Sequence, residues 1–201
     1  MRTVERLLEI TAVYRAWQAP FAGRKFAPIY RYNDLRSVQS VLDVGCGPGT
    51  NTHHFADVGR YLGLDFNPAY IDYARRRHRR DFRVVDVRAE FPEARAGFDF
   101  ILLNSLLHHI DLASTREILA RLAGLLTEDG HVHILELTMP PQAGVSRALA
   151  RLDRGKHARP LEEWKELFAE AFEPVLTEPY PLGLPGLPLW EMVYFKGRRR
   201  T

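Results

Sequence analysis

The chain has 201 residues, 46% of them hydrophobic, enough for one domain with a full core. Its single cysteine, Cys46, excludes an internal disulfide and a multi-thiolate metal cluster and fits a reducing compartment. The formal charge is only +3, no stretch approaches the ~20 apolar residues of a membrane helix, and Met1 to Arg6 opens no secretory core, so a soluble cytoplasmic protein is expected.

Residues 1 to 36 read as helical. Val4, Leu7, Leu8 and Ile10 recur near helical spacing, and Val13, Tyr14 and Trp17 continue the stripe. Pro20 interrupts it, and a second helical stretch is expected from Phe21 to Leu35. Val41 to Val44 then forms a short apolar run, as a parallel strand covered on both faces requires. It stops at three glycines spaced two apart, Gly45, Gly47 and Gly49. Thr50 to Ala56 follows, a helix start with hydroxyl and amide caps available. Strand, glycine turn and helix together are how an α/β fold presents backbone N–H groups to a ligand.

Two details narrow the ligand. A dinucleotide fingerprint would put its third glycine at position 50, where this chain has Thr50, with Gly49 one residue early. Asp43, two residues before the first glycine, would repel a pyrophosphate and suits a ligand bringing positive charge, such as the ammonium of a methionine moiety beside an adenosine. Tyr61 to Asp65 reads as a second strand ending in an acid 20 residues after Gly45, where both hydroxyls of a ribose can be accepted.

With Asp43-Val44-Gly45-Cys46-Gly47-Pro48-Gly49 and then Asp65, the sequence resembles the class I methyltransferases that use S-adenosylmethionine (SAM), small-molecule type, best over residues 38 to 140. The resemblance implies a three-layer α/β/α sandwich around a seven-stranded, mostly parallel sheet whose last strand is antiparallel. It implies one domain: a helical cap over 1–36, a SAM-binding core over 37–137, an insertion or lid over 138–160, and a last helix with strands over 161–201. In the family N-terminal helices cover the cofactor and help bind the acceptor, which assigns Tyr14, Trp17, Gln18 and Phe21 to that role. The glycine turn, Cys46 included, would hold the cofactor.

Asn67-Pro68 is an amide cap followed by proline at the first turn, and the helix should run to about Arg80. Phe82 to Val87 reads as a third strand. The resemblance implies that Asp86 accepts the adenine amino group and that Val87 contacts the ring; Phe66 is positioned to pack on the adenine face. Gly97 to His109 reads as the fourth strand and its exit loop. It resembles the family motif beside the methyl group, with Asp111 soon after and Asn104 where a strand end meets the methionine ammonium. A helix over Ala113 to Leu126, a turn at Thr127 to Gly130 and a fifth strand over His131 to Leu137 follow. Ser146 to Leu152 reads as a short helix within an insertion, and Pro160 starts a helix reaching Ala171. Two last strands are expected over Pro174 to Tyr180 and Trp190 to Lys196, with Pro181 to Leu189 between them an apolar segment unable to be regular.

Methyl transfer needs an acceptor lone pair held about 3 Å from the methyl and in line with the C–S bond. A base is needed only when the acceptor must lose a proton early, and histidine is the natural one. His108 and His109 leave the fourth strand beside the expected sulfonium, so either is a candidate base or pocket-shaping residue; His157 and Glu136 are weaker candidates. The Asn104-Ser105-Leu106-Leu107 run lacks the Pro-Pro-aromatic pattern of nucleobase amino-methylating enzymes. One cysteine argues against arsenic methylation, and no His and carboxylate cluster with helix or strand spacing marks a metal site. Of 28 basic residues four are Lys, and much of the arginine lies in Arg75 to Arg80 and Arg198 to Arg200. These runs read as a helix end and a solvated tail rather than an RNA or lipid surface, since no aromatic residues are interleaved.

The expected function is therefore SAM-dependent methylation of a small-molecule oxygen or carbon nucleophile, aromatic, polyketide-like or lipid-like. No nucleic-acid partner and no stable membrane insertion are expected, and the protein should be a monomer or homodimer. The alternatives are an RNA- or protein-directed methyltransferase or a non-catalytic SAM-binding protein.

Overall fold

The structure, a computed structural model, describes residues 21–89, 97–153, 156–184 and 186–200. Its strands are β1 (Ser40–Val44), β2 (Arg60–Asp65), β3 (Asp81–Val84), β4 (Phe98–Asn104), β5 (Leu126–Leu137), β6 (Phe172–Leu184) and β7 (Leu187–Arg199). Its helices are α1 (Ala22–Tyr32), α2 (Pro68–Arg77), α3 (Leu112–Ala123), α4 (Val145–Leu152) and α5 (Leu161–Ala171). The strands form one seven-stranded sheet in the order β3-β2-β1-β4-β5-β7-β6. β1 to β5 pair in parallel, and β7 runs antiparallel to both of its neighbours. The expected three-layer, mostly parallel architecture is what the chain adopts.

Alternation along the strands builds the layers. Leu42, Val44, Leu64, Leu103 and Ile134 point to one face and pack with Ile118 and Leu122 of α3 and Trp164 and Phe168 of α5. Val41, Phe100, Leu102 and Leu135 point to the other, against Phe26 and Ile29 of α1 and Ile71 and Ala74 of α2. Each large side chain so covered contributes roughly 1.5–3 kcal/mol relative to staying in water. At the amino end of the sheet Asp99 clasps β1: its carboxylate accepts from Gln39 N at 2.8 Å and Ser40 N at 2.9 Å, while Ser40 Oγ accepts from Asp99 N at 3.1 Å. At the opposite end β1, β2, β4 and β5 all finish.

α2 begins as its sequence demands, with Asn67 accepting from Ala69 N at 3.0 Å and proline in the first turn. It stops at Arg77, three residues before Arg80. Elsewhere the chain departs from the sequence reading. No α-helix follows the glycine turn; Thr52–Phe55 makes only a four-residue 3-10 turn. Asn51 forms no side-chain cap there, Thr52, His53 and His54 are poor helix formers, and β2 starts at Arg60. β3 ends at Val84, leaving Asp86 in the loop beyond it. β5 starts at Leu126, so the expected turn at 127–130 lies inside the strand. The segment 181–189 is not irregular: β6 runs to Leu184 and β7 starts at Leu187, a hairpin with Gly186 at φ +73°. Prolines are tolerated in β6 because it is the edge strand, where half the N–H groups need no partner. Residues 1–20, with the predicted first helix, lie outside the described residues.

Candidate active site

The glycine turn leaves β1 with Gly45, Gly47 and Gly49 all at positive φ, +73°, +54° and +80°. Gly45 and Cys46 both donate their N–H to Leu64 O, at 2.8 and 2.9 Å, which pins the turn to β2. A side chain at Gly45 would also strike Leu106, since a Cβ there would lie 2.8 Å from Leu106 Cδ1. Beside Gly47 the space is open among the described residues, none of which puts an atom within 4 Å of where a Cβ would be. Asp65, at the end of β2, receives Gly47 N at 2.9 Å on one oxygen and Asn67 N at 2.8 Å on the other. Burial pushes its carboxyl up, against the pull of those two donors. Each oxygen retains acceptor capacity.

Asp43 is fully buried and turned into the fold. Tyr61 Oη donates to it at 2.6 Å, and Asn51 Nδ2 approaches both oxygens at 3.1 and 3.2 Å. Burial lifts this carboxyl to about 6, only partly offset by the Tyr61 and Asn51 hydrogen bonds. Asn51 Oδ1 in turn accepts from Asn104 Nδ2 at 3.0 Å. The chain of bonds ends at Asn104 Oδ1, a buried acceptor with no hydrogen-bond partner among the described residues. Such an orphan is costly unless a donor arrives to fill it.

A second cluster lies where β4 and β5 end. Ser105 carries a positive φ of +56°, strained for a residue with a side chain, and its Oγ accepts from Lys25 Nζ of α1 at 2.5 Å. His108, in the 3-10 turn Leu107–His109, is 2% exposed and bonds through Nδ1 to Glu136 Oε1 of β5. Glu136 is itself fixed by N–H donors from Leu107 and Leu137, each at 2.8 Å. Asp153, just beyond α4, puts Oδ1 3.2 Å from His108 Nε2. Burial disfavours an imidazolium here, but the charges of Glu136 and Asp153 outweigh it and raise the His108 pKa above neutrality. Burial likewise opposes ionisation of Glu136, and the His108 charge and hydrogen bond hold its carboxyl below the usual range. Burial lowers the Lys25 ammonium to about 8 despite the opposing charges of Glu136 and Asp153.

The remaining residues singled out by sequence fall as follows. The Cys46 side chain is buried and its thiol pushed up by burial, so only its backbone faces outward chemistry. Phe66 is 66% exposed, the most open large aromatic of the described residues. Asp86 pairs with Arg88 at 2.7 Å, which holds its carboxyl low, and Val87 is buried in the core beside Val85. His109 is exposed, its ring 4.0 Å from that of His108. His157 is half-buried and donates its N–H to His108 O at 2.9 Å. Tyr14, Trp17 and Gln18 lie outside the described residues; Phe21 stacks edge-on against Trp190 at 5.6 Å. Lys25, Ser105 and Asp153 were not anticipated, and Glu136 emerges as the centre of the cluster. In the arginine run Arg75 donates to Phe82 O, and Arg80 to Val58 O, Phe55 O and Ala56 O, so both brace the fold.

Residues 41–130 match the methyltransferase domain family. This stretch is similar to methyltransferase domains, and the likeness spans a little under half of the chain. An uncharacterised methyltransferase of Mycobacterium bovis is 35% identical over 107 residues, 51% of this chain and 52% of the relative. A trans-aconitate 2-methyltransferase of Methylobacterium radiotolerans is 36% identical over 111 residues, 53% of this chain and 40% of that protein. The chain thus matches about half the length, or less, of these curated relatives. In fold it resembles the N-methyltransferase NodS of Bradyrhizobium japonicum, solved with S-adenosylhomocysteine (SAH): TM-score 0.72, 21% identity, covering 90% of this chain and 89% of that one. It also resembles the plantazolicin methyltransferase BpumL, at TM-score 0.71 and 16% identity, covering 96% and 90%. Among the described residues no helix is long and apolar enough to cross a membrane.

Proposed function

We propose that this protein moves the methyl group of SAM to an oxygen or carbon nucleophile of a small molecule, at the carboxyl end of β4 and β5. The observation that carries the reading is the unfilled acceptor at Asn104 Oδ1, buried beside a glycine turn whose flank at Gly47 is open. A donor-rich, cationic group such as the ammonium of the cofactor's methionine end satisfies that atom. The rest of the molecule then runs along the ends of β1 and β2. Asp65 has the acceptor capacity for ribose hydroxyls, and the exposed Phe66 ring offers a face to the adenine. Asp86 reaches its amino group, and Asp43 acts through Asn51 to orient Asn104. When bound, SAM supplies an electrophilic methyl on a sulfonium, and the chemistry resides in the cofactor.

The chain's own work is then positioning. The Glu136–His108–Asp153 network and the Lys25–Ser105 bond hold the turn after β4 in one conformation beside the methyl position. His109 stands at the exposed side of that turn, and His157 is tied to the same turn through its N–H bond to His108 O. A small-molecule acceptor is favoured by the relatives that act on trans-aconitate.

Calorimetry with SAM and SAH on the wild type and on Asp65→Ala tests the cofactor reading. Loss of at least about tenfold in affinity, ~1.4 kcal/mol, is expected in the variant. A folded wild type that binds neither molecule overturns the proposal. Methyl transfer from labelled SAM to a panel of hydroxyl, enol and carboxylate acceptors then tests the substrate class; transfer to RNA or protein only would overturn the small-molecule part.

A further inference from the structure

We propose that His108, His109 and Asp153 form a site for one divalent transition-metal ion at the edge of the candidate active site. One ligand atom from each of the three lies within 4.8 Å of the others. Sequence spacing conceals the group, because two members close the turn after β4 while the third follows α4. The backbone bond from His157 N to His108 O, 2.9 Å, ties the chain beyond Asp153 to that turn.

Three further features favour a metal over a plain polar cluster. First, Nδ1 of His108 is committed to Glu136, which leaves Nε2 as the ring's outward ligand atom. Nε2 is buried, on a side chain only 2% exposed, and makes no aligned hydrogen bond among the described residues. Second, a metal-binding histidine almost always passes its other ring nitrogen to a carboxylate or carbonyl, which fixes tautomer and orientation. Glu136, held by the Leu107 and Leu137 N–H groups, is such a partner. Third, two ligand atoms each ~2.0–2.1 Å from a tetrahedral ion stand about 3.3 Å apart. His108 Nε2 and Asp153 Oδ1 are 3.2 Å apart. His109 supplies the third ligand atom from the same turn, within 4.8 Å of the other two.

Two imidazoles and one carboxylate select zinc, manganese, iron, cobalt or nickel over calcium and magnesium. Three protein ligands leave at least one coordination position open. Resting on the methyltransferase reading above, that position takes the acceptor's nucleophilic oxygen and lowers its pKa, so the preferred acceptor is a hydroxyl, enol or carboxylate rather than an amine.

The test is a titration of the EDTA-stripped full chain with Zn²⁺ alone and, separately, with Co²⁺ followed by visible absorption. SAH binding is measured on the same wild-type sample. One equivalent of Zn²⁺ is expected, with a tetrahedral or five-coordinate Co²⁺ spectrum. His109→Ala and Asp153→Asn should each weaken binding at least about tenfold while circular dichroism shows the fold retained. His109 is exposed, so its removal does not disturb the core. Wild type that binds SAH but no Zn²⁺ overturns the metal site, as does Zn²⁺ bound equally well by both variants. Wild type that binds Zn²⁺ but not SAH leaves the metal site standing and removes the methyltransferase reading.

Discussion

Phe66→Ala tests the proposed adenine side of the cofactor site. The ring is 66% exposed, so it owes little to the fold, and truncating an exposed side chain usually moves stability by no more than about 0.5 kcal/mol. Stacking of an aromatic ring on a base contributes ~1–3 kcal/mol by alanine substitution. SAH affinity should therefore fall about 5- to 150-fold while the unliganded melting temperature stays nearly fixed. The two readouts are linked: at a concentration 100 times its dissociation constant SAH stabilises the wild type by ~2.7 kcal/mol, and a thirtyfold weaker variant gains only ~0.9 kcal/mol at the same concentration. Calorimetry gives the affinity and thermal unfolding with and without SAH gives the stabilisation. Affinity unchanged within about twofold in a folded variant would refute the placement of adenine against Phe66. A large drop in unliganded stability would show instead that the ring packs on the protein.

Asp43 should impose a pH dependence on stability. Its folded pKa of about 6 lies above the ordinary 3.8, so its contribution is fully present below pH ~4 and lost as pH rises through 6, by roughly 3 kcal/mol. Urea unfolding from pH 4 to 7 should show a steeper loss of stability in the wild type than in Asp43→Asn; parallel curves would remove the argument. Asp99→Ala leaves Gln39 N and Ser40 N without their carboxylate and should cost about 1–3 kcal/mol in urea with SAH affinity unchanged, since the clasp sits at the far end of the sheet. The Cys46 thiol, buried and pushed up by that burial, should react with a disulfide reagent only at the rate of unfolding; fast labelling of native protein would contradict the buried placement.

The parts of this fold that were legible in the sequence are those specified by neighbours along the chain. The glycine turn, the Asn67-Pro68 helix start and the strand ends at Asp65 and Asn104 each depend on a few adjacent residues. The misread parts depend on tertiary position. Proline in β6 is acceptable only because that strand ends up at the sheet edge, a fact that no local window contains. The helix expected after the glycine turn gave way to a 3-10 turn because β2 begins too soon to allow more than one short turn.

The same distinction separates the two halves of the site. In a parallel sheet every strand delivers its carboxyl end to one edge, so Asp65, Asn104 and Glu136, each at or next to the end of its own strand, converge once the strand order is known. Strand-end position therefore brings Asp65, Asn104 and Glu136 to one edge from sequence alone. It cannot recover Lys25, which arrives from α1, or Asp153, which arrives from beyond α4, because neither lies on a strand. Asp153 brings charge to the buried His108 and Lys25 brings charge to Ser105, both in the stretch just after β4, and a buried charge is costly unless its geometry is held. The packing of α1 and of the stretch after α4 onto the ends of β4 and β5 holds it here. Changes to either element should thus be felt first in the acceptor half of the site, with the glycine turn and SAH affinity left largely intact.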